Sequence, residues 1–457
     1  MKTFERRKNM KIAAVIMMLG MAAGSLNAST VDRVFVRQLW PWSTDIYVEY
    51  ELGDVSGSTD LLVEVYDGNT KIDQSVVDAA ISGERYAITT SRTGRLYIDP
   101  VAVFGSDRAE VPDLRVKVSA VDSPENINEV LYRIYSLTNA AVTEVTRAEL
   151  LNGKYGSIVT DYSSFGAGFE SNLADVLVWT AVTNDVKYKT THLVMRKIPA
   201  GSFTMGGDNN TPSVNLAVNG DFFMGVFEMT QKQCEFLATR AVAYFSNTTY
   251  AATRPMEKVT FKDLRGSNGR YWPDPDYNES TPASGTYVKE LRDITGNNSF
   301  DLPQEMYWEY AARAGAQTIW NNGENDSQNG DRNTVMPKLG RSKYTGGWTA
   351  DATAAADVRG DVSSENGTAE VGSYAPNAWG LYDIHGNVAE WCIDRYGEWK
   401  DLTVDILQNG TTVFSADNHV VRGGSWDQGP ANQHLDQRVK MAQGNGGNHT
   451  GWRAFCR

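Results

Sequence analysis

Thiol and imidazole are scarce in this chain, whose 457 residues carry three cysteines and five histidines. Cys234, Cys392 and Cys456 are too few, and odd in number, for a disulfide framework. Cys392 and Cys456 can pair in an exported protein, and buried free thiols suit the sequence equally well. Lone histidines read as surface or internally satisfied polar groups. Positive charge is also short, with 43 Lys and Arg against 56 Asp and Glu. An acidic surface repels phosphate backbones, which argues against nucleic acid as a partner. Long apolar runs are lacking too. Apart from Ile12 to Ala23, no segment approaches the roughly 20 apolar residues of a membrane span.

That single run follows a basic start, Lys2, Arg6, Arg7, Lys8 and Lys11, and precedes Leu26-Asn27-Ala28. The pattern predicts a cleavable export signal over residues 1–28. Its removal takes away five basic residues and one acid and moves the formal charge from −13 to −17. The expected location is the periplasm, the cell surface or the medium.

The remaining length exceeds one ordinary core, so two domains are expected. Over residues 29–135, Ile46, Val48, Tyr50 and Leu52 alternate with Tyr47, Glu49 and Glu51. Leu61, Val63 and Val65 alternate likewise, as do Leu114, Val116 and Val118. Period-2 alternation between turn-rich pieces predicts an all-β sandwich, immunoglobulin-like or fibronectin-like. Residues 136–190 have no clear period and read as a connector. Residues 191–457 mix short strands, Gly/Asn turns and helices, an α+β domain. Thr230 and Gln233 form a capping box for a helix running through Ala241. Pro303 opens a second helix, ended by Gly315, and Ser284 to Ile294 is a third. So much loop needs staples, for which aromatic clusters or a bound metal are candidates.

Two motifs carry chemistry. In HGNVAEW, Gly386 and Asn387 permit a tight turn with positive φ, which aims successive carbonyls at one point. Glu390 adds a carboxylate, and hard oxygen ligands suit calcium. The alternative is a buried turn whose Glu390 bonds backbone amides. In VVRGGSW, Gly423 and Gly424 let the backbone pass close to another strand or a ligand. The segment from Asp427 to Gly451 that follows is polar and Gly/Asn/Gln-rich, a composition that offers adaptable hydrogen bonding.

Six segments in order, MRKIPAGSFTMGG, FFMGVFEMTQKQCEFL, FDLPQEMYWEYAARAG, PNAWGLYDIHGNVAEWCIDRY, VVRGGSW and TGWRAFCR, resemble the formylglycine-generating enzyme, or sulfatase-modifying factor, family. The resemblance covers Leu193 to Arg457 and implies an elaborated C-type-lectin-like fold. It implies a structural calcium on the backbone oxygens of Gly386 and Val388 and the side chain of Glu390. The family's oxidases convert a peptidyl cysteine to formylglycine with copper and oxygen. Their two cysteines stand two and seven residues after the GGS-aromatic motif, where this chain has Gln428 and Gln433. An amide does not replace a thiolate on copper(I), so copper is not expected. A related branch makes sulfoxides with iron held by histidines of a helical N-terminal domain. This chain has no HxxxH pair and a β-patterned N-terminal part, so that activity is not expected either.

The expectation is therefore an exported binding module for a peptide, protein or glycan. Its groove would use Ser425 on ligand backbone, Trp426 as an apolar wall, and Gln428, Gln433 and His434 for hydrogen bonds. Arg438 would pair a ligand carboxylate or serve as a structural ion pair. The second expectation is a sulfatase-modifying oxidoreductase with an altered active site.

Overall fold

The computed structural model describes residues 29–38, 43–55, 57–105, 111–160, 177–207, 212–237, 243–246, 250–266, 282–328, 332–347, 367–409 and 417–457. The expected export signal at 1–28 lies outside these residues. No helix among the described residues is long and apolar enough to cross a membrane. The chain divides into two compact units. One runs to Glu129 and takes up Thr146–Gly156, and the other holds Val130–Val145 and Ser157–Arg457.

The alternation at the start of the chain builds two antiparallel sheets. Strands β1 (Thr30–Gln38), β2 (Ile46–Gly53), β3 (Thr59–Asp67), β4 (Thr70–Lys71), β5 (Ile81–Ser82), β6 (Arg92–Ile98) and β7 (Leu114–Asp122) pair in the orders β1-β2-β6-β5 and β4-β3-β7. Ile46, Val48, Tyr50 and Leu52 from one sheet and Leu61, Val63, Val65, Val116 and Val118 from the other form one hydrophobic cluster. Full burial of each aliphatic side chain contributes about 1.5–3 kcal/mol. Two short helices, α1 (Gln74–Ala80) and α2 (Pro100–Phe104), sit between strands, capped by the side chains of Asp73 and Asp99. Helix α3 (Arg147–Leu151) opens on a capping box of Thr146 and Glu149.

The border expected at residue 135 and the connector expected over 136–190 need correction. Strand β8 (Val130–Ser136) pairs with β12 (His192–Ile198), register Val194 to Ile134, and forms a hairpin with β9 (Val142–Thr146). Both belong to the second unit's five-stranded sheet, order β20-β15-β12-β8-β9, while the α3 segment belongs to the first unit. The alternation in this stretch announces a strand, but a strand pattern does not name its sheet. Strands β10 (Ile158–Val159) and β11 (Val178–Trp179) pair with each other. A hairpin of β13 (Gly201–Gly206) and β14 (Ser213–Val218) follows, then β15 (Phe222–Gly225).

Helix α4 (Gln231–Leu237) has the expected box, with Thr230 Oγ1 accepting from Gln233 N–H and Gln233 Oε1 accepting from Thr230 N–H, both at 3.1 Å. After α5 (Phe261–Arg265), helix α6 (Tyr287–Thr295) stops at Gly296. Helix α7 (Glu305–Arg313) starts two residues after Pro303 and ends on a left-handed Ala314. Short helices α8 (Met336–Leu339) and α9 (Val404–Asn409) lie in the loop-rich remainder. Strands β16 (Ala389–Arg395), β17 (Asn418–Arg422), β18 (Val439–Ala442) and β19 (Thr450–Gly451) make a sheet in the order β18-β17-β16-β19, and β20 (Phe455–Cys456) returns to β15.

The staples of this unit are buried arginine–carboxylate pairs. Arg265 and Arg292 hold Asp301, at 2.6 and 3.1 Å. Arg313 and Arg422 hold Glu309, the first at 2.8 Å. Arg438 holds Glu305 and Arg453 holds Glu390, each at 2.6 Å. A buried pair of this kind is costly to break, because the partner left behind keeps its charge without water.

Candidate functional site

The GN turn is where the motifs meet. Gly386 has φ 82° and Asn387 φ 59°, the left-handed conformation their sequence predicts. Gly386 N–H donates to Gly423 O and Asn387 N–H to Arg341 O, both at 2.8 Å. Glu228, from the segment after β15, accepts from Asn387 Nδ2 at 2.7 Å and from Val388 N–H at 3.0 Å. Asn387 O in turn accepts from Trp426 N–H at 2.9 Å. One fully buried acid thus fixes the turn, and the turn fixes the GGSW backbone. Gly424, φ 71°, admits no side chain, since a Cβ there would lie 2.5 Å from Gln433 Cγ.

Burial pushes the Glu228 carboxyl well up, and the neighbouring Asp383 and Glu390 carboxylates add to it. Asp383 is pushed up to about 6, chiefly by burial. Its Oδ2 accepts from Gly372 N–H at 2.6 Å, while Oδ1 has no hydrogen-bond partner. Arg453 is the guanidinium that faces this group of acids. It donates to Glu390 Oε1 at 2.6 Å and to the carbonyls of Gly225, Val226 and Tyr382.

This arrangement bears on calcium. Glu390 Oε1 is taken by Arg453, and Oε2 accepts from Trp308 Nε1 at 2.6 Å. A cation on Glu390 would have to displace a guanidinium and an indole N–H. The set Gly386, Val388 and Glu390 therefore does not fit the ion that the resemblance implied. Glu390 is instead an anion satisfied inside the protein, by side chains where the sequence offered backbone amides. Chelation with EGTA is expected to leave the thermal midpoint unchanged. A structural calcium present at a hundredfold excess over its Kd would contribute about 2.7 kcal/mol, so a fall of several degrees would restore it.

Five of the six groove residues come together, and most are interior. Ser425 is fully buried, and its Oγ donates to Asp427 Oδ1 at 2.6 Å. Trp426 donates from Nε1 to Asn448 O at 2.8 Å and meets Phe245 edge-on at 5.4 Å. Gln433, fully buried, donates from Nε2 to Ser425 O at 2.8 Å and to Gln428 O at 3.2 Å. Its amide closes the loop after GGSW on itself. Gln428 is half-buried, and the Oε1 atoms of both glutamines have no hydrogen-bond partner. His434 is buried against Trp320, ring centres 4.8 Å apart.

The exception is Arg438. It makes a two-pronged pair with Glu305, at 2.6 and 2.7 Å, and lies over Tyr396 and Trp399. Its ligand-pairing role is corrected to the structural ion pair.

His385, next to the turn, fixes the same loop. Burial pushes it down to about 3, so the ring is neutral. Its Nε2 accepts from Asn321 N–H at 3.2 Å, which places the proton on Nδ1, 2.7 Å from Gln433 O.

Sequence reasoning missed Asp427 and His449, which form the accessible rim. Their side chains are 28% and 34% exposed, with Asp427 Oδ2 3.7 Å from His449 Nδ1. The signal was their place at the two ends of the polar segment. The groups run in the order serine, carboxylate, imidazole. In a hydrolytic triad the imidazole touches the hydroxyl and takes its proton, so Ser425 is not activated this way. Of the polar side chains in this loop, Asp427, Gln428 and His449 are partly exposed and Ser425 and Gln433 are buried.

The three thiols are interior. Cys234, Cys392 and Cys456 are free and buried, on α4, β16 and β20, so of the two readings left open for Cys392 and Cys456 the structure has the free thiols. Burial pushes all three up, Cys456 to about 12. Buried thiols of this kind are structural rather than reactive.

Known proteins resemble this chain in sequence. The chain is 30% identical over 213 residues to the chaperone protein LppX of Paenibacillus barcinonensis, spanning 43% of this chain and 70% of that protein. It is 24% identical over 263 residues to the formylglycine-generating enzyme of Mus musculus, spanning 51% and 66%. It is 35% identical over 131 residues to that of Streptomyces coelicolor, spanning 27% and 35%. The chain thus spans less than two thirds of the length of either enzyme. Among solved structures, Treponema denticola variable protein 1 and PvdO from Pseudomonas aeruginosa each align with a TM-score of 0.42 and 20% identity, covering 58% of this chain and 96% and 94% of theirs. A sequence profile of the sulfatase-modifying factor enzyme 1-like domain matches residues 181–456, more than half of the length, and the chain belongs to that family.

Proposed function

We propose that this chain is a non-oxidase member of its family, an exported binding protein that holds a peptide or protein ligand at the rim of Asp427, Gln428 and His449. An N-terminal β-sandwich would carry a C-type-lectin-like domain. The observation that carries the reading is the Gln433 amide. At a position where the family's oxidases have a copper thiol, Gln433 is spent on two carbonyls of its own loop. The groups left at this rim, the Asp427 carboxylate and the half-buried side chain of Gln428, can answer the N–H and C=O groups of a peptide. The relative named a chaperone is consistent with a protein client.

The test is copper(I) titration and oxygen uptake by the purified chain with a sulfatase-type cysteine peptide. The expected result is no stoichiometric copper and no turnover from a folded protein. One copper per chain with turnover would overturn the reading in favour of an oxidoreductase with an altered site.

A further inference from the structure

The N-terminal unit carries a feature that the family match does not reach. The face of the β1-β2-β6-β5 sheet opposite the core holds a depression of about 430 Å³. Cross-strand register sets its walls in rows. Arg33, Glu51 and Thr93 stand side by side on β1, β2 and β6, and Phe35, Glu49 and Arg95 form the next row. A third row continues with Arg37, Tyr47 and Tyr97, where the two tyrosine rings meet edge-on at 4.9 Å. Phe35, Tyr47 and Tyr97 are all partly exposed, although each is an apolar ring that a folded chain gains by covering.

The polar groups are of two kinds. Glu49 is engaged by Arg37 and Arg95, and both guanidinium groups lie 5.7 Å from the Tyr47 ring. These contacts fix the aromatic strip. Arg33, Glu51 and Thr93 are exposed, and their side chains have no hydrogen bond or ion pair among the described residues. They offer a donor, an acceptor and a hydroxyl that does either.

We propose that this depression binds a neutral, polyhydroxylated ligand, a segment of a glycan chain. A sugar ring has an apolar face of C–H groups for Phe35, an aromatic ring lining the depression beside the Tyr47 and Tyr97 strip, and a rim of hydroxyls that both donate and accept. Arg33, Glu51 and Thr93 answer that rim in kind, the usual composition of a small-molecule site with a few placed polar groups. Two arginines and two glutamates balance within the depression, which selects against a polyanion. An extended peptide would instead add to the free edge of β1 and leave this face untouched.

The test is affinity electrophoresis of the full chain in gels containing laminarin, xylan or galactomannan, with heparin as the polyanion. Retardation by at least one neutral polysaccharide is expected. It should weaken about tenfold, or 1.4 kcal/mol, in Phe35→Ala and in the double variant Arg33→Ala/Glu51→Ala. Both variants alter partly exposed side chains and should keep their thermal midpoint. No retardation by any neutral polysaccharide, retardation by heparin alone, or retardation equal in wild type and variants would each overturn the proposal. A failure here leaves the copper test of the C-terminal unit untouched.

Discussion

Arg453→Met is expected to destabilise the C-terminal unit by about 3–5 kcal/mol, the cost of removing one member of a buried ion pair. Methionine keeps the length of the side chain and loses every donor. Glu390 then retains only the indole N–H of Trp308, and the carbonyls of Gly225, Val226 and Tyr382 lose the guanidinium donors, Val226 O keeping only the N–H of Tyr382. These groups come from segments on either side of the GN turn, so the loss spreads over the turn and the GGSW loop. Urea melts followed by tryptophan fluorescence would measure it. A variant within about 1 kcal/mol of wild type would mean that Arg453 is not the partner of this acid cluster.

The deficit should also depend on pH. Asp383 is raised to about 6 and Glu228 well up, in each case mainly by burial, and Arg453 is among the charges that hold them down. A carboxyl raised on folding binds more protons in the native than in the unfolded state. Stability then falls as pH rises from its unfolded value, roughly 4, through its folded value. Without Arg453 both folded values climb, and the fall extends to higher pH. The Arg453→Met deficit is therefore smallest near pH 4–5 and largest near pH 8. A deficit that is flat across this range would count against the acid cluster as its origin.

Much of the architecture was legible because it is local. The alternation of Ile46, Val48, Tyr50 and Leu52 places one face in the core whatever else the chain does. Thr230 and Gln233 cap their own helix, and Gly386 and Asn387 adopt the turn that their side chains permit. What escaped is long-range. Arg453 and Glu390 are 63 residues apart, and Arg438 and Glu305 are 133 apart. An isolated arginine looks like a surface residue, so the loops were expected to rest on aromatics or metal. Helices α1 and α2, of seven and five residues, are too short to show a helical period. At the site, the polarity of Ser425, Gln433 and His434 suggested an open groove. Burial follows from contacts that composition does not encode, His385 on Gln433 O and Trp320 on His434.

Gln433→Glu should be the most damaging single change in the loop, although it replaces one atom group. The amide faces two carbonyl oxygens, and a carboxylate there would set anion against carbonyl in a fully buried place. The acid stays folded only by holding a proton, which raises its folded value above the unfolded value of about 4.3. Its stability then falls steadily as pH rises above that value. Gln433→Ala removes the amide's two hydrogen bonds at a cost of about 0.5–1.5 kcal/mol each, since Ser425 O keeps Gln428 N–H and Gln428 O keeps Lys343 N–H, with no such pH dependence of its own. At pH 8 the order should be wild type, Ala, Glu, and near pH 4.5 the two variants should converge. Gln428→Ala separates folding from recognition. Its side chain is half-buried and makes no hydrogen bond through Oε1, so stability should change by no more than about 0.5 kcal/mol, while affinity for a peptide held at the rim falls. If Gln433→Glu matches wild type at pH 8, the amide does not close this loop, and the position is free to do what the family's thiol does.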